Sequence, residues 1–322
     1  IKENIRSGIG EWNSVLTNTM TNTVQIGYSF QDESRAQSDK LFPFVDIFNG
    51  GTSYTSFGFE PFSVGNLLSY KTLQVQDNLT KFFGTKHTVT LGAYVEKYHS
   101  DNVFFGCCPQ GAWSYNSLDD FYADANGYLA NPNRTTTSVA ARAFQVRWAN
   151  IPGLEQPLQP LDVWYSAGYA QDEWRPRRNL TVTAGVRFDV SSFGATAYPN
   201  AAADALTFRS NEGNPIRFDT GSMPDTKVLW SPRVGLNWDV LGNQTLQLRG
   251  GAGLFSGRPA YVWISNQIGN TGVLIGERID TAPGTNYPFS PDPSRYRGAP
   301  TGRNASSYAL NVTDPDFKFP QV

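Results

Sequence analysis

Long stretches of strict alternation between apolar and polar residues constrain this chain more than any other feature of its sequence. Between residues 180 and 190 every second residue is apolar, and the residues between them are Thr181, Thr183, Gly185, Arg187 and Asp189. Successive side chains of a β-strand point to opposite faces, so this pattern predicts a strand with one apolar and one polar face. Similar alternation occurs at residues 24–30, 89–95, 234–240 and 246–254.

The alternation and the connections between its stretches predict eight strands of roughly 10 to 16 residues, against a usual length of about 5 to 6. They lie near residues 9–18, 22–34, 67–82, 87–105, 162–175, 179–192, 228–240 and 245–256. Short turns rich in Asn, Gly, Pro and Thr alternate with long segments at 35–66, 106–161, 193–227 and 257–322. Outer-membrane barrels have this asymmetry, with short periplasmic turns and long extracellular loops. The predicted fold is therefore all-β: part of an antiparallel transmembrane β-barrel with long extracellular loops.

The composition is compatible with such a barrel and excludes some other classes of protein. Of 322 residues, 39% are hydrophobic and 17% charged, with 26 Lys and Arg against 28 Asp and Glu. Polar loops dilute strands whose apolar half faces lipid, so a low hydrophobic fraction does not argue against a membrane protein. No apolar run approaches the ~18 residues of a transmembrane helix. The balanced charge gives no basic patch for nucleic acid.

Charged residues on the polar faces of the predicted strands are candidates for the wall of an aqueous lumen. They are Arg187, Asp189, Arg233, Asp239 and Arg249. Ion pairing of the arginines with Asp189 and Asp239 is nevertheless favoured over contact with a solute.

Aromatic and polar residues of the long loops are the candidates for contact with a substrate. They are Trp113, Tyr115, Trp263 and Asn266. The loops also carry local structure, because Ser117 followed by Asp119 and Asp120 predicts a short helix capped by Ser117.

Catalysis and cofactor binding find little support in the sequence. The two histidines, His87 and His99, lie on one predicted strand, whose twelve residues separate them by about 40 Å. Asp172 and Glu173 point to opposite faces of a strand, so they cannot act as a glycosidase pair. We expect no enzymatic activity, no cofactor and no metal, with calcium at loop aspartates such as Asp292 as an open alternative.

Cys107 and Cys108 are neighbours in the longest internal loop. Cα atoms across a trans peptide are about 3.8 Å apart, which is shorter than the usual span of a disulfide. Whether a vicinal disulfide forms stays open. If it forms, a locally closed loop is favoured over a redox switch.

Several motifs resemble the TonB-dependent outer-membrane receptors of the Oar-like, OmpA-related type. They are Phe-Pro-Phe-Val-Asp-Ile at 42–47, Tyr-Ala-Gln-Asp-Glu-Trp at 169–174, Arg-Gly-Gly-Ala-Gly at 249–253 and Val-Trp-Ile-Ser-Asn-Gln at 262–267. The Gln-Asp-Glu-Trp strand followed by Asn-Leu-Thr recurs across TonB-dependent barrels, and the combination with the last two motifs is more specific. The matches extend from about residue 42 to 272.

This resemblance implies a 22-stranded barrel with an N-terminal plug. It also implies that the outer loops capture a substrate and that a TonB-type energy-coupling complex, acting through the N-terminal region, rearranges the plug. Neither the plug nor the C-terminal strands occur in this sequence, so we expect the chain to be the central part of a longer protein. Oar-like members are also associated with protein export or surface interaction, so the direction of transport stays open.

Two other classes of function remain as alternatives. A soluble secreted β-rich protein would bind carbohydrate through exposed Trp and Tyr and would have long loops at both ends. A β-rich glycoside hydrolase would need two carboxylates on one face at a suitable separation, and the sequence places no such pair.

The favoured interpretation predicts the bacterial outer membrane as the location. Its partners are then outer-membrane lipid, a TonB-type complex and an unidentified substrate, without nucleic acid.

Overall fold

The computed structural model describes residues 3–35, 42–194, 198–258, 260–305, 308–314 and 316–322. The predicted outer loops therefore lie partly outside the described residues, at 36–41, 195–197, 259, 306–307 and 315. The strands are β1 (Asn4–Thr17), β2 (Met20–Asp32), β3 (Phe44–Asn49), β4 (Thr52–Phe57), β5 (Leu67–Phe83), β6 (His87–Val103), β7 (Ala112–Tyr115), β8 (Ala143–Ala149), β9 (Gln159–Arg177), β10 (Leu180–Phe193), β11 (Phe208–Arg209), β12 (Pro215–Ile216), β13 (Lys227–Asp239), β14 (Gln247–Gly253) and β15 (Ile275–Asp280). The helices are α1 (Leu118–Ala130), α2 (Ala201–Asp204) and α3 (Val262–Gly269), with a 3-10 turn at Ser294–Tyr296.

Eight of these strands form one antiparallel sheet, here called the wall, in the order β1-β2-β5-β6-β9-β10-β13-β14. Each pair of strands joined by a short turn is a hairpin, and Gly84, with φ +59°, supplies the left-handed residue in the turn between β5 and β6. The long connections all leave the opposite end of the wall. The antiparallel all-β fold predicted from the alternation is thus confirmed. β1 begins at Asn4, before the predicted start at residue 9, because its pairing with β2 extends to Asp32.

The register of the wall gathers the apolar residues of neighbouring strands on one face. Val95 of β6 pairs with Val75 of β5, and Val186 of β10 pairs with Ala170 of β9. The intervening residues, such as Tyr94 of β6, share the other face, which we call the polar face. Cross-strand pairs on one face lie within side-chain contact. The wall therefore has an apolar and a polar surface from β2 to β14.

A second, smaller sheet lies in the outer loops, in the order β15-β8-β7-β3-β4. Its strands pair antiparallel, except for β3 and β7, which run parallel. Its core contains Val45, Ile47, Phe144 and Val146 and packs against α1. The side chain of Ser117 accepts a hydrogen bond from the backbone N–H of Asp120, which confirms the predicted helix cap. The strands of this sheet are only four to seven residues long, too short for alternation in the sequence to predict them.

After β14 the chain turns back over the polar face. We call residues 254–270 the return segment; it includes α3 and, apart from residue 259, is described by the structure. Ile264 and Ile268 of α3 pack on Leu161 and Val163 of β9. Both β9 residues lie on the polar face, at the end of the wall that carries the long loops. Among the described residues no helix has the length and apolar character needed to cross a membrane.

Candidate functional site

The apolar face of the wall is bounded by aromatic and charged residues at two levels. Trp164 and Trp174 lie ten residues apart on β9, opposite Lys97 and His87 of β6. At about 3.4 Å per residue and a strand tilt of about 45°, ten residues span a height of roughly 24 Å. That height equals the apolar band of outer-membrane barrels, about 25 Å, and tryptophans are typical of its edges.

The five charged residues predicted to face a lumen all lie on the polar face by register. Arg187 and Asp189 alternate with the apolar Val186, Phe188 and Val190 of β10. The other three belong to the last two wall strands: Arg233, Asp239 and Arg249. The wall thus gathers on one surface residues that are up to 62 positions apart, as the numbers of Arg187 and Arg249 show.

Arg187 and Asp189 form the centre of a hydrogen-bonded cluster. Arg187 Nε donates to Asp189 Oδ1 at 2.8 Å, and Asp189 is buried. The hydroxyl of Tyr165 donates to the same carboxylate oxygen. The guanidinium of Arg187 also lies over the ring of Tyr169, 5.4 Å from its centroid. The predicted pairing of an arginine with a neighbouring aspartate is therefore present at this position.

Tyr169 extends this cluster across the wall toward β5. Its hydroxyl donates to Asn78 and accepts a hydrogen bond from Gln76 Nε2 at 2.9 Å. The ring lies over Gly92, where an added Cβ would stand 2.0 Å from Tyr169 Cζ. The glycine thus leaves the space in which the tyrosine lies flat against the polar face.

Arg258 of the return segment is held against the wall by a second cluster. Its Nη1 lies 2.7 and 2.8 Å from the two carboxylate oxygens of Glu96, which is buried. Its Nη2 donates to the hydroxyl of Tyr94 at 3.2 Å, and its guanidinium lies 4.4 Å from the ring centroid of Tyr165. An ion pair, a hydrogen bond to a hydroxyl and a cation–π contact together orient an arginine strongly. Neither Arg258 nor Glu96 is among the residues predicted from the sequence, because their pairing requires the chain to fold back.

Helix α3 covers the polar face near the outer end of β6 and β9. The ring of Tyr261 lies 4.7 Å from that of Tyr98, and burial raises the pKa of Tyr261 to about 12. Asn102 Nδ2 donates to Ser265 Oγ at 3.0 Å. Hydrogen bonds to a hydroxyl inside a packed interface fix the helix in one orientation. The segment therefore forms a packed cover over this part of the wall.

Trp263 and Asn266, two of the predicted contact residues, lie on the face of α3 that is turned away from the wall. The opposite face carries the buried Ile264, Ile268 and Gln267. Trp263 is 64% exposed, and Asn266 is partly exposed. The structure thus leaves both side chains accessible from the space in front of the polar face.

Trp113 and Tyr115, the other two predicted contact residues, are fully buried in the core of the small sheet. Trp113 Nε1 donates to the carbonyl of Tyr287 at 2.9 Å, and the Tyr115 hydroxyl donates to Asp124 Oδ2 at 2.8 Å. Burial raises the pKa of Tyr115 well above its ordinary range. The prediction that these two residues contact a substrate is wrong, because they alternate inward in a strand that the sequence analysis assigned to an open loop.

Arg233 and Arg249 differ from Arg187 in having no ion pair among the residues that the structure describes. Arg249 Nη2 donates to Gln247 Oε1 at 2.6 Å. The carboxylate of Asp239 accepts hydrogen bonds instead from the backbone N–H groups of Gly242 and Gln244, at 3.1 and 2.9 Å. The predicted pairing with Asp239 is therefore wrong for both arginines, because that carboxylate caps the turn between β13 and β14.

Cys107 and Cys108 form a vicinal disulfide, and Cys108 is buried.

The histidines bind separate carboxylates: His87 Nδ1 lies 2.7 Å from Asp172 Oδ2, and His99 Nδ1 lies 3.0 Å from Asp162 Oδ1. Within the described ranges, no three His, Cys, Asp or Glu side chains are grouped as metal ligands would be.

A wide antiparallel wall with an apolar band of membrane height and a polar opposite face defines an outer-membrane β-barrel protein. The chain belongs to the outer membrane beta barrel domain family, whose model matches residues 2–322. It is therefore a protein of the bacterial outer membrane, and its apolar face is the surface that meets lipid. This family is one of membrane barrels, not of enzymes. The outer-membrane location overturns the alternative of a soluble secreted carbohydrate-binding protein.

Two solved structures are similar to this chain over part of their length. The copper transporter OprC shares 13% identity at a TM-score of 0.47, over 80% of this chain and 32% of OprC. The open form of the ferric-catecholate import receptor Fiu from E. coli K12 shares 16% identity at a TM-score of 0.39, over 80% of this chain and 36% of Fiu. The chain thus spans about a third of the length of either structure. A comparison with curated proteins found no match.

Proposed function

We propose that this chain forms part of the wall and outer loops of a TonB-dependent transporter of the Oar-like type. In this proposal the whole protein closes into a barrel of 22 strands around a plug, and the polar face lines its lumen. The observation that carries the proposal is the return segment, which folds over the outer end of the polar face and is held there by Arg258 and Glu96. A segment that covers the lumen side of the wall can restrict passage through the barrel, which a transporter with controlled passage requires.

The proposed mechanism has three parts and no bond chemistry. A substrate enters between the outer loops and meets the exposed side of α3, where Trp263 and Asn266 are available. A TonB-type complex then rearranges the plug through the N-terminal region of the whole protein and opens a path. Charged residues of the polar face, such as Arg187 and Arg233, line that path. The proposal covers import and export alike.

The proposal is tested by labelling a cysteine inside the proposed lumen of the whole protein in intact cells. Thr181→Cys places the thiol on the polar face of β10, near the short turn. The probe is a maleimide that does not cross membranes, applied with and without an uncoupler of the proton-motive force. We expect labelling in energised cells and at least a fivefold decrease with the uncoupler, because plug movement needs energy.

Two further cysteines give the controls for this experiment. Glu212→Cys lies in an exposed turn of the outer loops and should react equally under both conditions. Ala184→Cys lies on the apolar face and should not react, because lipid shields it. Equal labelling of Thr181→Cys with and without the uncoupler would contradict an energised transporter.

A further inference from the structure

β15 is an edge strand of the small sheet, since β8 is its single neighbour among the strands that the structure describes. The backbone N–H of Asn150 donates to the carbonyl of Leu274 at 2.9 Å, which fixes the hydrogen-bonding phase of the two antiparallel strands. Bonded and non-bonded pairs alternate along such a ladder, so the even-numbered residues of β15 bond to β8. The residues between them point their N–H and carbonyl groups away from β8: Ile275, Glu277 and Ile279.

These outward backbone groups have no partner in the part of the chain that the structure describes. None of the described residues is hydrogen-bonded to the N–H or the carbonyl of Ile275, Glu277 or Ile279. β15 also contains no proline and no bulge, two devices that keep an edge strand from pairing with a further strand. Its outer edge is therefore competent to accept one.

A groove of about 350 Å³ lies beside this edge, between β15 and residues 298–305. Glu277 and Ile279 line it on one side, and Ala299 and Thr301 line it on the other. Its volume is at the lower end of the range for ligand-binding pockets, about 300 to 1,000 Å³. The three outward residues of β15 span about 14 Å at 3.4 Å per residue. The groove therefore suits a short extended segment.

The ring of Trp148 lines the groove and packs against two glycines. A Cβ added at Gly276 would stand 2.4 Å from Trp148 Nε1, and a Cβ at Gly298 would stand 2.6 Å from Trp148 Cζ2. The ring thus lies directly on the backbone at both positions. These contacts hold it in place, so the groove has one rigid aromatic wall before any ligand binds.

The charge available beside the edge is positive. Arg278 lines the groove, is exposed, and has no ion pair among the described residues. The carboxylate of Glu277 is paired with Arg147, whose Nη2 lies 2.9 Å from Glu277 Oε2. The carboxylate of Asp280 accepts a hydrogen bond from the backbone N–H of Ala282 at 3.0 Å. An acidic ligand therefore complements the groove better than a basic one.

We propose that β15 binds an extended acidic peptide segment of a partner protein, which joins the five-stranded small sheet as a further strand. The peptide backbone bonds to the outward N–H and carbonyl groups of β15, and alternate side chains of the peptide enter the groove near Arg278. This inference goes beyond the proposed function, because it places a second binding site in the outer loops and requires no transport.

The test measures the binding of synthetic peptides to the whole protein in detergent by fluorescence anisotropy. The first probe is a labelled, blocked hexapeptide of alternating Val and Glu, and the second has Lys in place of Glu. Two more probes are the first peptide N-methylated on all its Val or on all its Glu residues. We expect the first probe to bind and the Lys peptide to bind about tenfold more weakly. One methylated peptide should also lose about tenfold, because it lacks the N–H groups that face β15, and the other should not.

Two substitutions at one position test the edge itself. Ile279→Pro removes an outward N–H of β15 without removing a bond to β8, and Ile279→Ala keeps that N–H as the matched control. Affinity for the Val-Glu peptide should fall about tenfold in Ile279→Pro relative to Ile279→Ala. Arg278→Gln should reduce the preference for the Glu peptide over the Lys peptide. Heat-modifiable gel migration, which a closed barrel gives, and protease resistance of the outer loops monitor folding.

Absence of binding of the Val-Glu peptide to the unaltered protein would overturn the proposal, as when another loop of the whole protein already pairs with β15. Equal affinity of Ile279→Pro and Ile279→Ala would overturn it as well. If Ile279→Pro does not fold, the two methylated peptides decide, and equal binding of both would contradict strand addition. The energised labelling of Thr181→Cys does not depend on this edge, so either proposal can fail without the other.

Discussion

Arg258 lies within hydrogen-bonding distance of both carboxylate oxygens of Glu96, at 2.7 and 2.8 Å, although the two residues are 162 positions apart in the chain. The Glu96 side chain is only 3% exposed, whereas that of Arg258 is 40% exposed. A carboxylate buried to this extent is unfavourable without a cationic partner. The pair therefore ties the return segment to the wall, since release of the segment would leave Glu96 without its partner.

The first prediction concerns this tie. Arg258→Gln should let the return segment open more often, because it leaves the Glu96 carboxylate unpaired. Removing one partner of a half-buried pair costs about 2 kcal/mol, which raises the population of the open form roughly 30-fold. Chymotrypsin cleavage after Tyr261, in the whole protein, reports on the opening. The cleavage rate should rise in proportion if opening and closing are fast.

The double variant Glu96→Gln with Arg258→Gln provides the matched control. It removes both charges, so cleavage should return part of the way to that of the unaltered protein. Arg209→Gln removes an arginine from an exposed hairpin and should leave cleavage unchanged. If the single Arg258 variant is cleaved no faster than the unaltered protein, the return segment is held by its apolar contacts alone.

The second prediction compares two tryptophans of the outer loops. Trp113 is fully buried, whereas Trp263 is 64% exposed. Trp113→Ala should destabilise the small sheet by about 3 to 5 kcal/mol, as truncation of a buried aromatic usually does. Trp263→Ala should change stability by no more than about 0.5 kcal/mol. Limited proteolysis of the outer loops during heating measures the difference, and equal protection of the two variants would contradict the assignment of Trp113 to a core.

The third prediction uses the two faces of β6. Leu91 lies on the apolar face near the middle of the band, and its neighbour Thr90 lies on the polar face. Leu91→Arg should destabilise the whole protein in the membrane by about 2 to 4 kcal/mol, because a charge in the lipid core loses its hydration. Thr90→Arg should have little effect, since its side chain stays in water. Urea unfolding in lipid vesicles compares them, and a greater loss for Thr90→Arg would reverse the assignment of the faces.

The sequence was sufficient to predict the wall, because its strands are long and their alternation is regular. A strand such as β10 carries its own evidence in six apolar residues on one face, from Leu180 to Val190. The polar-face position of Arg187 and Asp189 follows from the same period of two. Local sequence also predicted the helix cap at Ser117, because capping depends on a few neighbouring residues.

The buried network and the small sheet could not be predicted in this way. The four residues of β7 are too few to show a period, so Trp113 and Tyr115 were interpreted as parts of an open loop. The position of Arg258 depends on the path of the return segment, which nothing near residue 258 in the sequence encodes. The partners of Asp239 could not be predicted from the sequence either. Its position on the polar face suggested an ion pair with an arginine, whereas the turn places two backbone N–H donors against its carboxylate. Contacts between distant parts of a chain require the fold itself.

The fourth prediction tests the close contact between a glycine and a tyrosine on the polar face. Gly92→Ala should destabilise the wall by about 1 to 3 kcal/mol, because its Cβ would lie 2.0 Å from Tyr169 Cζ and push the ring away. The hydrogen bonds of Tyr169 to Asn78 and Gln76 should weaken at the same time. Gly250→Ala is the matched control, since nothing lies within 4 Å of the added methyl group.

The measurement is the urea midpoint of the whole protein, with Tyr169→Ala and the double variant included. In the Tyr169→Ala background the Gly92→Ala change should cost less than about 0.5 kcal/mol, because the ring that it strikes is gone. If the cost of Gly92→Ala differs between the two backgrounds, it arises from a steric clash with the Tyr169 ring. A cost that alanine carries at this strand position for any other reason would be the same in both backgrounds. A Gly92→Ala cost that is the same in both backgrounds would show that Tyr169 does not require the glycine.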